Sequence, residues 1–129
     1  MSAELLQRIK AHIIDDGGLL SGFTVKYYRW SDDDLNGSAS VALFKASGTY
    51  GPSGHVDQWP DVSLYLLADP DKTKAADDAM LAVVRYLRGN YTTDDVFNIH
   101  PVGGYSGPMY LANGRAMFEL VMRCGVTDH

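Results

Sequence analysis

One segment limits the folds open to this chain more than any other: DPDKTKAADDAMLAVVRYLRGN, residues 69–90. Ala76, Ala79, Met80, Val83, Tyr86 and Leu87 recur at helical spacing, while Lys74, Asp77, Asp78, Arg85 and Arg88 stay polar. The spacing predicts one long amphipathic helix, capped by Asp71 or Thr73 and ended at Gly89. Acids fall early and arginines late, which complements the helix dipole. Ala75, Ala76, Ala79 and Ala82 leave the helix slim enough to lie close against a sheet.

That sheet is written on both sides of the helix. In GFTVKYYRW, Phe23, Val25 and Tyr27 alternate with Thr24, Lys26 and Tyr28, the period of a half-buried strand. SASVALFKA places Val41 and Leu43 on one face and Ala42 and Phe44 on the other, and DVSLYLLA puts Val62, Leu64 and Leu66 on one side. After the helix come VFNIHPV, which ends in a glycine-rich turn, and the long run RAMFELVMRCGV, introduced by an Asn113–Gly114 turn. At the start of the chain, AELLQRIKAHII carries Leu5, Leu6, Ile9, His12 and Ile13 on one stripe, with Ser2 as N-cap and Asp15–Gly18 as the stop. The expected order is α-β-β-β-α-β-β. This predicts an α+β fold, a single domain over residues 1–129, with a mainly antiparallel sheet and both helices packed on one face.

Composition removes several function classes. A chain of 129 residues can bury one core. No apolar run approaches the roughly 18 residues of a membrane span, and MSAELLQRIK lacks the apolar centre of a signal peptide. The chain is therefore expected to begin near Met1 and stay in the cytoplasm, with no membrane partner. A net charge of −5 argues against a general nucleic-acid binder. Cys124, the single cysteine, lies in an apolar strand and reads as a buried, inert thiol.

The motifs that invite chemistry each lack a part. GTYGPSG, residues 48–54, resembles a phosphate loop, but His55 and Val56 follow its last glycine where Lys and Ser or Thr would stand. Asp32, Asp34, Asn36 and Gly37 match the first half of a calcium loop, yet Leu43 occupies the position of its bidentate Glu. His12, His55, His100 and His129 show no metal-ligand spacing. His55 and Asp57 could serve as base and acid beside Ser53, but nothing around Ser53 forms a nucleophile elbow. The reading is therefore no catalytic residue, no metal and no cofactor, with a small enzyme built on His55 and Asp57 as an alternative.

What remains is the length of the segment 47–60 itself. Loops beyond about 12 residues are uncommon in small domains unless they function or are disordered. This one carries Tyr50 and Trp59, types enriched at protein interfaces. Trp30, beside Tyr27 and Tyr28, adds an aromatic cluster suited to core packing or an interface.

VALFKASGTYGPSGHVDQWPDVSLYLLADPD, the alanine-rich helix and NIHPVGGYSGPMYLANGRAMFELVMRCGV together resemble the tail terminator (minor tail, or tail completion) proteins of long-tailed bacteriophages and prophages. The likeness spans nearly the whole chain and includes a Gly114–Arg115 lead into the last strand. It implies a non-enzymatic subunit of a homohexameric ring on the tail tube, which stops tube polymerisation and provides the surface for head–tail joining. The implied partners are copies of the same chain, the tail tube protein and a head–tail connector, with DNA passing through the lumen without specific binding. The implied location is the host cytoplasm during assembly and then the virion tail or neck. The expected interface residues are Tyr50, His55, Asp57, Trp59, Trp30 and Arg115. Another phage neck or connector component is the neighbouring alternative.

Overall fold

The alternation that begins at Ala116 becomes the longest strand of the protein and the axis of its sheet. The computed structural model describes residues 2–30, 39–46, 57–58, 61–90, 97–111 and 113–127. In chain order they form α1 (Ser2–Lys10), a π-helical continuation (Ala11–Asp16), β1 (Thr24–Tyr27), β2 (Val41–Ala46), β3 (Asp57–Gln58), β4 (Asp61–Leu67), α2 (Thr73–Gly89), β5 (Phe97–Pro101), β6 (Ser106–Tyr110) and β7 (Ala116–Thr127). The architecture is α+β, with a mixed, mostly antiparallel sheet.

β7 pairs antiparallel with β4 and β3 on one side and with β6 and β5 on the other. β2 then pairs antiparallel with β4, and β1 closes the row beside β2. One face of this sheet supplies Phe44, Leu64, Leu66, Phe118, Leu120 and Met122 to the core, against Leu6, Ile9 and Ile13 of the first helix and Met80, Val83 and Leu87 of α2. Both helices therefore cover the same face. A fully buried Leu or Phe contributes about 1.5–3 kcal/mol, against at most about 0.7 for the helix propensity of an ordinary residue. The apolar stripes, rather than local propensity, hold the helices where they are.

Three features depart from the sequence expectation. First, β1 runs parallel to β2, not as a hairpin, with Thr24 opposite Val41 and Tyr27 opposite Phe44. Alternation marks a strand but carries no direction, and the chain between Tyr27 and Val41 is long enough for a parallel crossover. Second, the glycine-rich segment after β5 contains a further strand, β6, and the 47–60 segment contributes the two-residue β3. Third, the first helix widens into π geometry after Lys10 and does not stay α-helical to Ile14. Residues five apart then share a face, as the Lys10–Asp15 ion pair at 3.1 Å shows.

The helix ends also differ in detail. Ser2 is the first helical residue rather than a cap. Lys72 stands at the N-cap of α2 without a side-chain hydrogen bond, in place of Asp71 or Thr73. Asp69 braces the approach instead, its Oδ1 accepting the Asp71 N–H at 2.9 Å. At the other end Gly89 is the last helical residue, and Asn90 closes the turn by donating both its backbone N–H and its Nδ2 to the Tyr86 carbonyl.

The π-helical turn brings His12 inward, where its Nε2 lies 2.6 Å from the Asn90 carbonyl and its ring packs on Tyr86. Since a carbonyl only accepts, Nε2 carries the proton. Gly17 permits this close approach of the two helices, because a Cβ there would lie 2.5 Å from the Ile13 carbonyl oxygen and 2.9 Å from the Tyr86 ring. Gly17→Ala is therefore expected to lower unfolding stability by about 1–3 kcal/mol, read as a lower urea midpoint. An unchanged midpoint would show that the contact yields without cost.

Candidate assembly interface

The sheet face turned away from the helices is not uniformly open. Val41, Leu43, Ser63 and Leu67 are buried on it, so β2 and β4 are covered on both sides. Trp30, just past β1, lies over this face with its ring edge-on to Tyr65 at 6.5 Å. Tyr65 shares the face with Glu119, directly opposite it on β7, and with Ser63, whose hydroxyl points to Glu119 Oε2 at 3.5 Å. Burial, then the hydrogen bond and charge of Glu119, push the Tyr65 phenol above its ordinary range. Further along, Arg123 forks onto Asp61 across the β4–β7 pair, with Nε 3.0 Å from Oδ1. This polar row ends beside His100, which is exposed opposite Arg123.

The chain reaches Trp30 through a tight turn. Tyr28 has φ 77°, and the Arg29 N–H bonds back to the Tyr27 carbonyl at 3.0 Å. A bulky residue with positive φ is a backbone outlier that local packing must hold in place. Tyr28 is 48% exposed at one margin of the sheet. At the opposite margin, Val102, Met109 and Tyr110 are also exposed, Tyr110 at 65%. These four are the exposed large apolar side chains among the described residues, and they divide between the two ends of the strand row.

The six expected interface residues are not gathered at one point. Tyr50, His55 and Trp59 lie outside the described residues. Asp57 is placed through its backbone, opposite Thr127 at the far end of β7, while Arg115 precedes the other end of that strand. Twelve strand residues span roughly 40 Å, so Asp57 and Arg115 cannot share a small site. Trp30 is half-buried on Tyr65.

Arg115 presents nothing to a neighbour from the surface, because its side chain is fully buried. Its Nε donates to the Ala68 carbonyl at 3.0 Å and its Nη2 to the Ala39 carbonyl, tying the ends of three segments together. The turn before it is set by Gly114 and by Asn113, whose Oδ1 accepts the Arg115 N–H at 3.2 Å. A charged side chain reads as surface in sequence, and only the fold shows the backbone carbonyls that make its burial tolerable.

The margin formed by Val102, Met109 and Tyr110 was missed because its glycines and proline read as a turn. The alternation beyond the proline is too short to register, although Met109 and Tyr110 stand just before the Asn113–Gly114 turn, where a hairpin strand belongs.

No group of three His, Cys, Asp or Glu side chains among the described residues is placed to hold a metal ion, and Asp32, Asp34 and Asn36 lie outside them. An open hollow of about 550 Å³ on α2 is lined by Asp78, Leu81, Ala82, Arg85 and Tyr86. Burial pushes the Cys124 thiol up to about 12, with Asp61 adding to the effect. It is held as an unreactive thiol.

Two measurements follow from these contacts. Arg115→Ala leaves the Ala68 and Ala39 carbonyls without this donor and opens a cavity, so a loss of roughly 3–5 kcal/mol in unfolding free energy is expected from chemical denaturation. A loss below about 1 kcal/mol would contradict the clamp. Because Tyr65 ionises above its ordinary value, its stabilising contribution is complete below that value and disappears as pH rises through the higher folded value. Ultraviolet titration should therefore lose one late-ionising phenol in Tyr65→Phe; loss of an early one would contradict the assignment.

Comparison with known proteins places the chain in a family. No curated protein matches the chain. The family model described as phage tail termination protein matches residues 2–128, from the first helical residue past the end of β7. The chain belongs to the phage tail termination protein family, with a structural role in completing the phage tail.

Proposed function

We propose that the protein assembles head to tail into a closed ring, a hexamer, that caps the end of the tail tube. Capping ends tube polymerisation and leaves a surface for head–tail joining. The observation that carries this reading is the placement of exposed apolar side chains at both margins of one sheet, Tyr28 at one and Val102, Met109 and Tyr110 at the other. A ring closed by rotation needs two different patches on every subunit, each fitting the other. Two such margins supply them.

In this reading the 47–60 arm, with Tyr50, His55, Asp57 and Trp59, faces a neighbouring subunit or the tube, and Trp30 belongs to the same interface. Arg115 contributes from inside, by tying the start of β7 to the end of β4 and the start of β2. The partners are further copies of this chain, the tube protein and a head–tail connector. The net charge of −5 suits a lumen through which DNA slides without sticking. Assembly in the host cytoplasm precedes residence in the virion.

Light scattering coupled to size-exclusion chromatography tests the ring directly. The wild-type chain should show a concentration-dependent species of one defined multiple of its 14.1 kDa mass. Met109→Asp combined with Tyr110→Asp should weaken that association by about thirtyfold or more, the effect of losing an interface hot spot, with the fold intact by circular dichroism. A wild-type monomer at all concentrations, or undiminished association in the double variant, would contradict the proposal.

A further inference from the structure

The margin beyond β7 is a single strand interrupted. β5 and β6 run antiparallel to β7 along the same side, with Pro101 opposite Met122 and Ser106 opposite Glu119. The chain thus uses two more residues than β7 across the gap, and its register slips again between Ser106 and Met109. Gly103, with φ 71°, lies within the gap. The two halves differ in burial. Ile99 in β5 belongs to the core, whereas all five residues of β6 are exposed and Pro108 has no N–H to give.

Little apolar burial therefore holds β6 in place, and such segments open at low free-energy cost. Its anchor is Tyr105, the residue just before it. The Tyr105 hydroxyl donates to Asp77 Oδ1 on α2 at 2.5 Å, and its ring packs edge-on to Phe118 at 6.2 Å. On the other side of the gap, the Val102 N–H bonds the Val121 carbonyl at 2.8 Å and keeps β5 in register. The interruption is thus flanked by one firm half and one half held by a side-chain latch.

We propose that residues 103–110 form a flap on the sheet margin, closed by the Tyr105–Asp77 hydrogen bond, which opens and recloses while the rest of the sheet stays folded. Opening withdraws the half-buried Tyr105 from the edge of the core but removes no fully buried side chain, because all five residues of β6 are exposed. It also removes from the Ala116–Glu119 portion of β7 its partner on that margin among the described residues. The latch thus decides what the margin presents: a strand blunted by Pro108 and bearing Met109 and Tyr110, or the bare ladder of β7. This inference goes beyond the capping role and stands apart from it, since its test needs only the chain in dilute solution.

Residue-resolved hydrogen exchange on the intact chain is that test. In the wild type, the β6 amides bonded to β7 should exchange faster than those of β4. Tyr105→Phe should speed β6 exchange by about tenfold, as loss of a charge-assisted hydrogen bond implies, and leave β4 unchanged. Asp77→Asn keeps an acceptor and should give a smaller increase. The proposal is overturned if β6 exchanges at the rate of β4 in the wild type, or if Tyr105→Phe leaves β6 unchanged. Equal acceleration of β4 in Tyr105→Phe, or an Asp77→Asn effect matching it, would also overturn it.

Discussion

The pairing of β7 with strands on both its sides is the constraint on which the structure depends. β4 and β3 line one side of it, β6 and β5 the other, so four of the seven strands are ordered by a single segment. The reason lies in its alternation. Ala116, Phe118, Leu120, Met122 and Cys124 all enter the core, and a register slip of one residue would turn that whole set outward. The same strand puts Glu119 against Tyr65 and Arg123 against Asp61 on the opposite face. Burial on one side and specific polar partners on the other therefore fix the same register twice.

Around that axis the two margins have different characters. At the β1 end, a parallel strand stops at Tyr28, whose positive φ turns the chain over the outer face toward Trp30. At the other end, the strand breaks and resumes as β6, carrying its apolar side chains outward. Sheets of globular proteins usually cover, charge or shorten such edges. Apolar exposure at both ends suits a subunit whose edges meet other protein, and membership of the tail termination family gives it a structural setting. Arg115 makes the arrangement rigid by bonding carbonyls from two other segments at the base of β7.

How far the sequence revealed this depended on how local each signal was. Most of the core stripe of α2, Val84 excepted, and the inward set of β4 were legible, because periodicity reports burial directly. The direction of β1 was not, since alternation is the same for either sense of pairing. The π-helical turn at Ala11–Asp16 was invisible too, because the partner its His12 meets, Asn90, lies 78 residues further along the chain. β6 was hidden by Gly107 and Pro108 and by the glycines just before it, types that mark turns far more often than strands. Arg115, expected at an interface from the resemblance, is an interior residue bonded to the carbonyls of Ala39 and Ala68. For Tyr50, His55 and Trp59, the sequence reasoning stands alone.

The central claim is that this chain acts by completing contacts between copies of itself at the end of a tube. Electron microscopy of growing tail tubes, with purified protein added, measures that most directly. The account predicts a ring at the tube end and an arrest of elongation at every end that bears one. Tubes that lengthen unchanged, with no added density at their tips, would contradict it.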